Sequence, residues 1–146
     1  MSSTFVRTLT NDDFEPVWDI FLSVFPSKYN IEFEDTWNTR NTSLTYGAFT
    51  TDGELIGFIL TAQRDYGEQR VEFLAVHPRV QKGGVGTLLL QKILDYCLRT
   101  KSRASLIPVN DPRIIHWYKK HGFKDKGEPF ISQYTGDLEQ VMEFAS

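Results

Sequence analysis

The sequence predicts a mixed α/β domain: one β-sheet of about seven strands, with about four helices packed on it. Three observations lead there. The chain has 146 residues, which is about the length of one domain, so residues 1–146 are read as a single unit. It is 40% hydrophobic and 24% charged, which excludes a disordered or collagen-like chain. Runs suited to strands and runs with apolar residues at helical spacing follow one another along it, without a repeat or low-complexity tract.

Residues 4–9 read as a short strand. Thr10 or Asn11 can cap a helix in which Phe14, Val17, Trp18, Phe21, Leu22 and Phe25 recur at helical spacing, closed by Pro26. Residues 32–41 suggest a short second helix with Phe33 and Trp37 on one face. Residues 43–50 and 54–63 read as a hairpin, because Asp52-Gly53 between them suits a tight turn. Residues 69–76 form the next strand, and Val85 to Leu98 a long apolar helix. Residues 104–109 return to strand. Residues 111–121 form a helix with Asp111 as cap, Pro112 in the first turn and Gly122 just past the end. Two closing strands fit near 123–134 and 138–144.

Charge narrows the functional classes. Residues 77–126 hold eleven basic and three acidic side chains, while every other part of the chain is acidic. That pattern points to one anionic partner bound locally, or to a plain surface mosaic. A pI of about 5.6 disfavours bulk nucleic-acid binding. No apolar run is long enough to span a membrane, and the first residues lack the apolar core of a signal peptide. The one cysteine, Cys97, has no partner for an internal disulfide, so a reducing, cytoplasmic setting is expected. His77, His116 and His121 form no metal-ligand pattern, and no metal is expected.

The most informative segment runs from Leu74 to Thr87. It joins a strand to a helix start through Gly83, Gly84 and Gly86. Glycines let backbone approach a ligand, and the first amides of a helix attract phosphate. Arg79 and Lys82 add positive charge. A Walker loop is excluded because no lysine precedes Thr87, and the dinucleotide fingerprint because Leu89 stands where its third glycine is needed.

Gln81-x-x-Gly84-x-Gly86 after Leu74-Ala75-Val76-His77-Pro78 resembles the acetyl-CoA signature of the GNAT N-acetyltransferases. Asn110-Asp111-Pro112, followed by Trp117-Tyr118-Lys119-Lys120-His121-Gly122-Phe123, resembles that family's second signature. The resemblance implies a mixed, mostly antiparallel sheet and acetyl-CoA as acetyl donor. Leu74, Ala75 and Val76 would offer backbone groups to the pantetheine arm. The segment Gln81, Lys82, Gly83, Gly84, Val85, Gly86 and Thr87 would cradle the pyrophosphate. Asn110 would bond the cofactor arm, or serve only as a turn or cap residue. Tyr118 occupies the general-acid position and would also touch the cofactor. Read as residues alone, Trp117 and Tyr118 are equally core aromatics. Members of the family often pair, which makes a homodimer an expectation of the same kind.

An amine has a pKa of about 10.4 and must lose a proton before attacking a thioester. Glu72, on the strand beside the acyl-binding backbone, is the candidate base; its alternative is a cross-strand pair with an arginine. The acceptor side of the fold falls on the acidic parts of the chain, where Glu32, Glu34, Asp35, Asp65, Glu68 and Glu72 could attract a cationic amine. Residues 71–76 and the Asn110–Gly122 segment also resemble the spermidine/spermine acetyltransferases, which makes a small polyamine or diamine the leading acceptor. The alternatives are a lysine side chain or N-terminus of a basic peptide or protein, and a non-catalytic acetyl-CoA-sensing domain.

Overall fold

The computed structural model describes residues 3–80 and 83–145. Seven strands form one sheet in the order β1-β2-β3-β4-β5-β9-β6. They are β1 (Thr4–Thr8), β2 (Tyr46–Thr50), β3 (Leu55–Asp65), β4 (Glu68–Val76), β5 (Arg103–Leu106), β6 (Lys124–Asp125) and β9 (Met142–Ala145). β4 and β5 run parallel; the other neighbours are antiparallel. The parallel pair needs a long crossover, and helix α3 (Val85–Thr100) lies within it. The expected mixed, mostly antiparallel sheet is therefore present.

Helices α1 (Phe14–Val24) and α2 (Asn30–Thr39) cover one face. Their core is aromatic: Phe33 stacks on Phe21 at 4.3 Å and meets Phe73 of β4 edge-on at 5.2 Å. Helix α3 covers the other face with Leu89, Leu90, Ile93 and Cys97, joined there by Tyr118 of α4 (Pro112–Lys120). Gly57 sets how closely α3 docks. A Cβ there would lie 3.0 Å from Val85 Cγ1 and 3.1 Å from the Ala75 carbonyl. Among the described residues no helix is long and apolar enough to cross a membrane.

Several boundaries differ from those expected. α2 begins at Asn30, ahead of residue 32. The strand expected over 104–109 ends at Leu106, because Pro108 has no N–H for a ladder. The strand expected over 123–134 is broken. β6 stops at Asp125, Gly127 takes a left-handed φ of 73°, and Pro129 follows. The chain then forms a separate two-stranded hairpin of β7 (Phe130–Ile131) and β8 (Leu138–Glu139). That hairpin leans on the α1–α2 turn through a Lys28–Asp137 ion pair of 2.6 Å.

Candidate active site

The described part of the glycine loop leads directly into the start of α3. Gly84 is the cap of α3 in a left-handed conformation, φ 73°, and no side chain among the described residues caps the helix. The first intrahelical bond runs from Leu88 N–H to the Gly84 carbonyl at 3.1 Å. The amides of Val85, Gly86 and Thr87 thus precede the helical ladder and have no acceptor within it. Gln81 and Lys82 lie outside the described residues. The charge expected of Arg79 is engaged elsewhere, because its guanidinium pairs with Glu54. The N-terminus of α3 lies against the C-terminal half of α4: a Cβ on Gly86 would sit 3.8 Å from the Trp117 ring.

Beside that helix start, the sheet splits. β5 accompanies β4 only from Glu68 to Val71. Beyond it, Ile107, Pro108 and Val109 leave the ladder. His77 N–H donates to the Ile56 carbonyl at 2.8 Å, and Ala75 stands opposite Phe58. That register makes Ala75 exchange hydrogen bonds with β3, so Leu74 turns its N–H and C=O toward the split.

A bulge falls at Glu72. Leu60 pairs with Phe73 and Thr61 with Val71, so Glu72 is an extra residue. Bulges re-aim side chains and break the alternation of faces. Here Val71 packs in the α3-side core, whereas Phe73, two positions on, packs in the aromatic core. At the split lies a cavity of about 210 Å³ whose walls include Phe25, Tyr29, Glu32, Glu72, Leu74, Tyr118 and Glu139. It shares Glu32, Arg70, Glu72 and Glu139 with a broader groove of about 710 Å³ toward α2, β3 and the β7–β8 hairpin.

Burial dominates the electrostatics. The Tyr118 phenol is buried, which pushes its pKa above the ordinary value, so it holds its proton at neutral pH. Glu72 is pushed up by burial, against the opposing pull of Arg70 and Arg64. Glu32 is raised to about 7 by burial and by the charges of Glu72 and Glu139. Glu139 is itself raised, by burial and then by Asp137, while Lys28 opposes the shift. No metal cluster of His, Cys, Asp or Glu exists among the described residues.

The structure brings Glu72, Tyr118, Leu74 and Glu32 to one cavity, and puts Asp35 in the adjoining groove. The cross-strand ion pair considered for Glu72 does not form within 4.0 Å among the described residues. Glu34 does not join the site. It is exposed and lines neither space, because positions 32, 35, 36 and 39 share the α2 face turned to the groove. Glu68 is consumed by Ser105, Arg70 and Arg103, and Asp65 is exposed near the β3–β4 turn. Asn110 is exposed; Asp111 caps α4, its carboxylate accepting from Arg113 N–H at 2.9 Å. Sequence reasoning missed Phe25, Tyr29, Arg64, Arg70 and Glu139. Glu139 arrives from the far hairpin and had no local signal. Phe25-Pro26 read only as the end of a helix.

Residues 14–123 match the model of the acetyltransferase (GNAT) family. No curated protein matches the sequence. Solved structures share the fold. One is Arabidopsis thaliana Naa50 in complex with the bisubstrate analogue CoA-Ac-MVNAL, with a TM-score of 0.79 at 20% identity over 99% of both chains. The ribosomal-protein-S18-alanine N-acetyltransferase from Escherichia coli has a TM-score of 0.76 at 18% identity, over 98% of this chain and 94% of its own. A GNAT family acetyltransferase from Elizabethkingia anophelis, solved with acetyl-CoA bound, has a TM-score of 0.75 at 14% identity over 98% of both chains.

Proposed function

This chain belongs to the GNAT family of acetyl-CoA-dependent N-acetyltransferases, and we propose that its acceptor is the free N-terminal amine of a peptide or protein. The observation that carries the reading is one cavity wall holding a raised carboxylate, Glu72, and a protonated phenol, Tyr118, at the split between β4 and β5. When bound, acetyl-CoA supplies an acetyl thioester. The residues present suit it: an uncapped helix start at Val85–Thr87 for phosphate, and the Leu74 backbone turned into the split for the pantetheine arm.

Glu72 takes a proton from the incoming ammonium, directly or through a water. Burial raises its pKa, which makes it a stronger base than an ordinary carboxylate. The amine nitrogen then forms the new N–C bond as the C–S bond breaks. Tyr118 gives its proton to the departing sulfur and regains one from the amide-forming nitrogen or solvent. The balance is one ammonium in, one amide and one thiol out, and one proton released.

The choice of acceptor rests on charge and shape. Phe25 and Tyr29 furnish apolar wall beside Glu32 and Glu139, which suits one ammonium on an apolar stem. Arg64 and Arg70 stand in the adjoining groove and would repel the further ammonium groups of a polycation. The peptide moiety of the analogue bound to Naa50 lends the same direction. A small polyamine is the second reading, favoured by the carboxylates of Glu32, Glu72 and Glu139 around the cavity.

The test is thiol release from acetyl-CoA with a panel holding free and N-blocked peptides, a lysine-rich peptide, putrescine, spermidine and spermine. Release with free N-termini, lost on N-blocking, is expected. Release with polyamines alone overturns the peptide reading.

A further inference from the structure

We infer that Arg64 and Arg70 form a carboxylate-recognition site beside Glu72, so that the preferred acceptor carries a carboxylate close to its reacting amine. The inference rests on the acceptor cavity proposed above and deepens it. Arg70 lines both the cavity and the groove although its side chain retains only 9% of its exposure. A buried cation is costly unless it is paired. Its Nε donates to the Ser105 hydroxyl at 2.8 Å, a neutral acceptor. Its ion-pair partner, Glu68, is 3.7 Å away, and that carboxylate already accepts from Ser105 at 2.6 Å and faces Arg103 at 3.5 Å. The Arg70 guanidinium is thus held by its Nε edge, and among the described residues its outer N–H groups have Glu68 as a loose ion-pair partner and the charge of Glu72 nearby.

Arg64 is brought to the same place by a second bulge. Gln63 pairs with Gln69 and Asp65 with Glu68, so Arg64 is the extra residue of β3 just as Glu72 is of β4. Both bulge residues line one groove, and the two arginines are close enough to repel each other. Paired guanidiniums offer forked N–H donors matched to a carboxylate. With Glu72 beside Arg70 in both the cavity and the groove, the wall is complementary to a molecule bearing an ammonium and a nearby carboxylate. Two sources share that chemistry: an aspartate or glutamate early in a peptide, and the α-carboxylate of a free amino acid.

The experiment measures kcat and KM for two peptides that differ only by Glu or Gln at the second position, a third with Lys there, and a panel of free amino acids. Wild type, Arg64→Ala and Arg64→Glu are compared, with their thermal midpoints as a check on folding. The expected result is a preference of roughly tenfold or more for the Glu over the Gln peptide, carried by KM. It falls toward unity in Arg64→Ala and shifts to the Lys peptide in Arg64→Glu. Turnover of free amino acids above all peptides supports the carboxylate site while overturning the peptide reading. Equal use of Glu and Gln peptides by wild type overturns the inference and leaves that reading standing. Acetyl-CoA binding without turnover of any acceptor overturns both.

Discussion

Tyr118 lines the cavity, its hydroxyl has no hydrogen-bond partner among the described residues, and its ring packs at 5.6 Å on Phe123. Tyr118→Phe therefore keeps the packing and removes only the proposed proton donor. It is expected to lower kcat by roughly 100-fold while the thermal midpoint of the free protein stays near the wild-type value. Glu32 gives a pH signature. Its folded pKa of about 7 lies above the ordinary carboxylate value of 4.5. Between those values the folded state binds more protons there than the unfolded chain, so this contribution to stability is present at low pH and lost as pH rises through about 7. Glu32→Gln removes the loss. Urea titrations at pH 5 and pH 8 are expected to show the variant gaining on the wild type at pH 8.

Elements are placed here by small residues and irregularities. α3 rests on the sheet because Gly57 leaves room for Val85, with the Ala75 carbonyl only 3.1 Å from where a Cβ would be. Gly57→Ala is expected to cost about 1–3 kcal/mol, since neither the backbone carbonyl nor a helix shifts cheaply. Gly84 differs: a Cβ there meets nothing within 4 Å, and the cost is that of its left-handed φ of 73°. Gly84→Ala is expected to lose about 1–2 kcal/mol by urea unfolding. The two bulges of the β3–β4 ladder matter equally. Each inserts one residue, Arg64 or Glu72, and each of those residues lines the groove.

At the scale of the whole molecule, the proposed acceptor cavity is closed by three parts distant in sequence: the α1–α2 turn, the β4–β5 split and the β7–β8 hairpin. Lys28 and Asp137 join the first and third at 2.6 Å, with side chains 47% and 46% exposed. Such an exposed pair contributes little to stability. Lys28→Ala is expected to leave the unfolding midpoint near wild type and to change the acceptor KM severalfold, with a smaller effect on the KM for acetyl-CoA. Equal changes in both would show that the bridge acts on the whole fold and not on the acceptor mouth.

The element order as far as α4, the glycine loop, the α4 cap and the Tyr118-to-Phe123 segment were legible in the sequence, because each depends on residues within a few positions of one another. Asp111 and Pro112 start a helix by their own side-chain chemistry, and Gly84 ends a loop by tolerating a positive φ. The basic middle third was equally plain, though it did not show that Arg79 is engaged by Glu54. What lay beyond the sequence is everything that depends on register and on distant strands. The bulges that aim Arg64 and Glu72 come from how β3 pairs with β4. Glu139 reaches Glu32 only after the chain has broken at Gly127 and returned as a hairpin. Composition and periodicity record which residues prefer to be buried or helical. Only the folded chain decides which charges share a cavity, and so which of them take up protons.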